Sequence, residues 1–145
     1  MSVGRICARE VDLVGPDESV QAAAQRMHAR MVGTLVVLDD KKHPVGLVTD
    51  RDLAVRVLAE GRDAGTTTVE EVMTTGLKTV NEDCPIEAAL EIMRGGPFRR
   101  VPVVDENGCL EGLVSIDDVL DLLAEEFQSI GRLVKRESPR SLAGR

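Results

Sequence analysis

The sequence predicts an α+β fold (α/β in the wider sense) in which one β-α-β-β-α unit is built twice, the copies packing sheet against sheet. Three observations predict it. Gly46-Leu47-Val48-Thr49 recurs as Gly112-Leu113-Val114-Ser115, an offset of 66, and that register runs without gaps from about residue 6 to 60 against 72 to 126. Along it Asp17 meets Asp83, Val20 meets Ile86, Met27 meets Met93, Val37 meets Val103, Asp39 meets Asp105 and Asp52 meets Asp118, too many matches for chance. In both copies the apolar spacing changes from helical to strand-like in the same order. Finally, a unit of about 60 residues buries too little surface to be stable alone, so two copies sharing a core is the expected arrangement.

Each element has a local cause. A short extended piece, Leu13-Val14 or Thr79-Val80, leads to Asp17-Glu18-Ser19 or Glu82-Asp83-Cys84-Pro85, where Asp, Ser and Pro suit a helix start. Val20, Ala23, Ala24, Met27 and Met31 then recur at helical spacing, as do Ile86, Ala89, Leu90 and Met93, and Gly33 and Gly95-Gly96-Pro97 are the expected stops. Two apolar runs follow in each copy, Thr34 to Leu38 with Val45 to Val48, and Arg100 to Val104 with Leu110 to Val114. The turn between the second pair contains Asn107-Gly108, a hairpin signal because both residues tolerate positive φ. A second helix closes each copy, from about Asp50 to Glu60 and from about Ile116 onward. The expected division is repeat one over 1–64, repeat two over 65–128 after the connector Gly65-Thr66-Thr67-Thr68, and a helical extension with a basic tail over 129–145.

Composition narrows the function. The 145 residues include only two aromatic rings, Phe98 and Phe127, so the core must be aliphatic and base stacking is a poor device for this chain. A net charge of −7 argues against nucleic acid as partner. That charge is uneven: residues 129–145 hold Arg132, Lys135, Arg136, Arg140 and Arg145 against Glu137, a net of +4, which leaves −11 on the other 128. No apolar run is long enough to span a membrane and the first dozen residues are too charged for a secretory leader, so no membrane and a cytoplasmic location are expected. Cys7, Cys84 and Cys109 are odd in number and lack C-x-x-C spacing, and with His28 and His43 they give no metal-ligand pattern.

The junction between last strand and last helix carries the chemistry: Gly46-Leu47-Val48-Thr49-Asp50-Arg51-Asp52 and Gly112-Leu113-Val114-Ser115-Ile116-Asp117-Asp118. A hydroxyl residue with an acid three places later is close to a capping box, which needs no ligand. The same geometry also suits a nucleotide. Free N–H groups at the helix start and the hydroxyl can hold a phosphate, and the carboxylate can accept from ribose hydroxyls. The glycine admits a close backbone approach.

Residues 6 to 126 resemble a tandem pair of cystathionine-β-synthase (CBS) domains, a Bateman module. The family's marker is a glycine, two aliphatic residues, Ser or Thr, two variable residues and Asp, and both copies match it. Phe98-Arg99-Arg100-Val101-Pro102-Val103-Val104-Asp105 is similar to the family's central strand. The resemblance implies pseudo-two-fold symmetry and a regulatory protein, not an enzyme, that binds AMP, ADP, ATP or S-adenosylmethionine in clefts between the repeats. Carried over, Thr49 with Asp52 would serve one cleft and Ser115 with Asp118 the other. Arg99 and Arg100 would be phosphate contacts, or else would pair with surface acids. Adenine would lie against an aliphatic wall drawn from Val32, Leu35, Val36, Thr68, Val69, Phe98, Val101 and Pro102, all of which also suit plain core. Repeat one has Gly33 and Thr34 where repeat two has Arg99 and Arg100, so two occupied clefts would be unequal, the one reached by Arg99 or Arg100 being better for polyphosphates; because the −11 body repels a polyphosphate, AMP-like ligands are expected before ATP-like ones at the first marker.

With no further domain expected beyond the repeats, the output would be a conformational change read by an unknown protein. Asp50 with Asp52, or Asp117 with Asp118, would accommodate Mg²⁺ beside a polyphosphate, and no other cofactor or metal is expected. Ile116, Leu120, Leu123, Phe127, Ile130 and Val134 form a heptad-like stripe consistent with a homodimer, or with a helix that packs early and then frays. The alternative function is a ligand-free interaction module with the same fold.

Overall fold

The computed structural model describes residues 1–136; the end of the basic tail, 137–145, lies outside the described residues. A short 3-10 turn at Val3–Arg5 precedes β1 (Leu13–Val14), α1 (Val20–Arg30), β2 (Thr34–Leu38), β3 (Pro44–Thr49) and α2 (Asp50–Leu53), which continues as a π-helical turn over Ala54–Leu58. Repeat two supplies α3 (Val69–Val72), β4 (Val80–Asn81), α4 (Ile86–Arg94), β5 (Arg100–Val104), β6 (Leu110–Ser115) and α5 (Ile116–Arg136). Each repeat forms a three-stranded sheet, ordered β1-β2-β3 and β4-β5-β6, with the first pair parallel and the second antiparallel. The registers coincide under the repeat, down to an irregularity at Val37/Leu38 and again at Val103/Val104.

Both sheets are buried on two faces. Leu35 and Val37 point into repeat one's core with Val20, Ala23 and Val48, whereas Val36 is fully buried on the opposite face by strand alternation. Val101 and Val103 do the same beside Ala89 and Val114, with Pro102 fully buried between them. This is the sheet-against-sheet arrangement expected from the duplication.

The repeats exchange their opening segments. Val3 is wholly buried in repeat two's core, and its equivalent Val69, together with Val72, is wholly buried in repeat one's core. Isolated bridges mark the exchange reciprocally: Ser2 with Pro85 and Ser19 with Thr68, then Ala8 with Leu113 and Leu47 with Thr74. The marker glycines make room for it. A Cβ on Gly46 would lie 2.5 Å from Met73 Sδ, and one on Gly112 would lie 2.8 Å from the Ala8 carbonyl oxygen. Their close approach therefore serves the other repeat's opening segment, through the Met73 side chain at Gly46 and the Ala8 backbone at Gly112.

Local chemistry adjusts two expectations. α1 does not run to Gly33; Met31 closes it in the left-handed region (φ 56°), its N–H reaching the His28 and Met27 carbonyls. The Asn107-Gly108 turn has one left-handed residue, Gly108 at φ 81°, and Lys42 takes the equivalent place at φ 65°. Asp105 fixes the rest, its Oδ1 accepting the Asn107 and Cys109 N–H groups, just as Asp39 accepts those of Lys41 and His43.

Candidate functional site

The strand-to-helix junction of repeat one opens onto a cleft of about 680 Å³, within the range of small-molecule sites. Thr34, Leu47, Thr49, Asp50, Arg51, Asp52, Arg56 and Thr74 line it on one side, and Pro97, Phe98, Arg99 and Arg100 on the other. It is thus built by both repeats.

Thr49 and Asp52 form a complete capping box. The Thr49 N–H donates to Asp52 Oδ2 at 2.9 Å, and the Asp52 N–H donates to Thr49 Oγ1 at 3.1 Å. Ser115 and Asp118 repeat it at 2.8 and 3.2 Å. The box does not exhaust these side chains. Each hydroxyl accepts in the cap and keeps its own proton to donate, and each carboxylate keeps Oδ1. At Asp52 that oxygen stands 3.8 Å from Arg56 Nε. Capping and ligand binding are therefore compatible on the same atoms.

The helix start is less open than the sequence suggests. The Asp50 N–H donates to the Gly33 carbonyl at 2.9 Å, the Arg51 N–H to Asp50 Oδ1 at 2.9 Å, and the Asp52 N–H to Thr49. All three first-turn donors are taken, so positive charge for a phosphate has to come from side chains. The arginines provide it. Arg51, Arg99 and Arg100 have no ion pair among the described residues, and with Arg56 they set four guanidinium groups against Asp50 and Asp52, a net of +2 on the cleft. The Thr34 hydroxyl is buried with no hydrogen-bond partner.

The pseudo-symmetric surface at Ser115 and Asp118 has a different chemistry. At the repeat offset Arg51 becomes Asp117, Arg56 becomes Leu122, Asp50 becomes Ile116 and Arg99 becomes Gly33, leaving Arg100 against Asp117 and Asp118, a net of −1. The Ile116 N–H donates to the Arg99 carbonyl at 3.0 Å.

The structure thus brings Thr49 and Asp52 to one cleft with Phe98, Arg99 and Arg100, and sets Ser115 and Asp118 at a separate junction. Of the candidate adenine wall, Phe98 faces the cleft. Leu35 and Val69 are wholly buried in the first core and Val101 in the second; Val36 and Pro102 are also wholly buried, so none of these five offers surface to a ligand here. Val32 packs partly buried against the first core, and Thr68 is partly buried at the bridge to Ser19. Sequence reasoning missed Leu47, Arg51, Arg56, Thr74 and Pro97 as lining residues. Arg51 was legible inside the marker, whereas Thr74 reaches the cleft through the exchange of opening segments.

Among the described residues no group of three His, Cys, Asp or Glu side chains could hold a metal ion, and no helix is long and apolar enough to cross a membrane. The three cysteines are free, and burial pushes the Cys7 thiol above its ordinary value.

The chain belongs to the CBS domain family, whose pattern matches residues 3–59 and 69–125. It is 32% identical over 122 residues to the uncharacterized protein MK0525 of Methanopyrus kandleri, covering 84% of this chain but 62% of that protein's length. It is 35% identical over 134 residues to hypoxic response protein 1 of Mycobacterium tuberculosis, covering 92% of each. Among solved structures, the CBS domain pair of protein MJ0100 in complex with 5-methylthioadenosine and S-adenosyl-L-methionine superposes with a TM-score of 0.77 at 26% identity, covering 87% of this chain and 98% of that one.

Proposed function

From this family membership and the charge of the cleft, we propose that the chain is a regulatory CBS pair whose Thr49 cleft binds an adenosine nucleotide carrying phosphates. The observation that carries the reading is the convergence of Arg51 and Arg56 from repeat one with Arg99 and Arg100 from repeat two on Thr49 and Asp52. The Asp52 carboxylate takes the ribose hydroxyls, Thr49 donates to a phosphate oxygen, and the arginines neutralise the rest. Leu47, Pro97 and Phe98 supply the apolar surface for adenine. Because Arg99 and Arg100 line this cleft, and the cleft they reach is the one expected to favour polyphosphates, we take ADP or ATP, with Mg²⁺ where needed, as preferred over AMP at the first marker, in place of the AMP-first order. The acidic Ser115 junction suits a neutral or sulfonium-bearing adenosine compound, the chemical class seen bound to the MJ0100 pair.

The role follows from the same geometry. A ligand holding Arg99 and Arg100 to Thr49 and Asp52 ties the two repeats together, so it favours whichever arrangement keeps them close. A downstream protein reads that arrangement. In this reading the protein works as a cytoplasmic homodimer and catalyses no reaction. Calorimetry with ATP, ADP, AMP and S-adenosylmethionine tests it; tightest binding by the polyphosphates is expected. No binding of any of them at millimolar concentration would favour the ligand-free interaction module.

A further inference from the structure

Arg56 faces two ways. It stands in the π-helical turn Ala54–Leu58 that continues α2, and such turns are rare and concentrate at functional positions. Its Nη1 donates to the Val72 carbonyl at 3.0 Å and to the Met73 carbonyl at 3.3 Å, while its Nε stands 3.8 Å from Asp52 Oδ1. The side chain is 47% exposed and lines the Thr49 cleft. One guanidinium therefore joins the marker carboxylate to the chain of repeat two, and its Nε and Nη2 keep N–H groups for an occupant.

The piece it holds is the end of the segment that repeat two lends to repeat one. Val69 and Val72 are wholly buried in the first core, Met73 packs against Gly46, and Thr74 exchanges two backbone hydrogen bonds with Leu47, at 2.8 and 3.0 Å. Between α3 and that bridge, among the described residues, no backbone N–H donates to the Val72 and Met73 carbonyls, and Arg56 takes both. Repeat two has no counterpart. At the repeat offset Arg56 becomes Leu122, whose side chain has nothing to donate, in a stretch of α5 that is regular α-helix. There Ala8 keeps the backbone pairing with Leu113, at 2.9 Å both ways, without the arginine.

Detaching residues 72–74 breaks both Arg56 bonds and frees the guanidinium to leave the cleft. A ligand that grips Arg56 makes that detachment costlier, and by reciprocity a docked segment strengthens the grip. We propose that Arg56 is a positioning residue that couples occupancy of the Thr49 cleft to the docking of residues 72–74, so that bound nucleotide is expressed as a tighter crossing between the repeats. This rests on the nucleotide reading above and specifies how that site regulates.

Amide hydrogen exchange of the full chain, read residue by residue by NMR with and without ATP, tests it beside calorimetry. Wild type is compared with Arg56→Lys, which keeps the charge but not the fork, and with Arg56→Leu, which copies repeat two. The Met73 and Thr74 N–H groups, bonded to the Val69 and Leu47 carbonyls, are the reporters, and the α4 amides correct for global stabilisation. Without ATP the reporters should exchange faster in both variants than in wild type. Saturating ATP should slow them in wild type about tenfold more than the α4 amides, an ordinary strength of coupling between sites. That extra slowing should vanish in Arg56→Leu and mostly vanish in Arg56→Lys, which should still bind ATP within about tenfold of wild type. A merely structural arginine would change the rates of the free protein and leave the ATP-dependent slowing intact. Undiminished slowing in either variant, or free-protein rates indifferent to Arg56, would overturn the coupling. Failure of Arg56→Lys to bind would mark an indispensable ligand contact and overturn the positioning role. ATP that binds wild type without slowing its reporters would overturn the coupling and leave the nucleotide reading standing, whereas no binding to wild type would overturn both.

Discussion

At the Thr49 junction four arginines from two repeats surround a capping box whose acids are Asp50 and Asp52; at the Ser115 junction the same capping box, with Asp117 and Asp118, pairs in register with Arg100, and the repeat offset puts Gly33 and Leu122 where the first junction has Arg99 and Arg56. The scaffold is shared to the atom: strand register, irregularity, cap and the glycine that receives the other repeat's opening segment. The charge is not. The two repeats have therefore kept the residues that shape the junction while the charged residues around it have diverged, and under the proposed function that difference separates ligand chemistry from folding.

A large effect should come from removing that difference. Arg99→Ala/Arg100→Ala should weaken ATP binding by about 10- to 100-fold, because charge-assisted hydrogen bonds contribute about 1.5–3 kcal/mol each and the two arginines overlap in role. Calorimetry reads it, and an unchanged affinity would break the assignment of charge to function. Next, Asp52→Ala and Asp118→Ala should each lower stability by about 1 kcal/mol through the lost cap. Only Asp52→Ala should abolish ATP binding, so urea unfolding and calorimetry together separate cap from site. A smaller change is expected at Asp50, whose carboxylate holds the Arg51 N–H and lies where a Cβ of Gly33 would be, 2.8 Å from Oδ2. Asp50→Ala removes a negative charge and frees that donor, and ATP should bind a few-fold more tightly, by roughly the worth of one screened charge. Tighter binding of AMP and ATP alike by the same factor would show that the freed donor, not the charge, matters.

The least effect lies outside the clefts, where repeat one has Glu18 and Arg26 and repeat two has the apolar Cys84 and Ile92. Bonds from Arg26, with help from the Gly15 N–H at 2.7 Å, hold the Glu18 carboxyl at about 2, down from an ordinary 4.5. A lowered folded pKa stabilises above the unfolded value and is lost as pH falls, so this contribution fades from about pH 4.5 toward pH 2. The pair is more than a third exposed, so the loss should be modest. Glu18→Gln should flatten that part of the stability profile measured by thermal unfolding, and Cys84→Ser should leave its shape unchanged.

The duplication was legible because its marks are local. The offset of 66, the caps and the apolar periods need only neighbouring residues to be read. Thr49, Asp52, Arg99 and Arg100 were legible as candidates for the same reason. Their grouping was not, because it depends on the exchange by which Val3 enters one core and Val69 the other, and on which repeat faces which across the cleft. The closed helix start was also hidden. That the Gly33 carbonyl and the Asp50 side chain would take the first N–H groups follows from tertiary placement, not from the marker.

Under the proposed function one junction, and only one, is built for a polyphosphate. Calorimetric titration of the full chain with ATP counts the sites directly, with Asp52→Ala and Asp118→Ala measured alongside. One tight site per chain, lost in Asp52→Ala and retained in Asp118→Ala, is the predicted result; two equivalent sites, or a site lost only in Asp118→Ala, would contradict it.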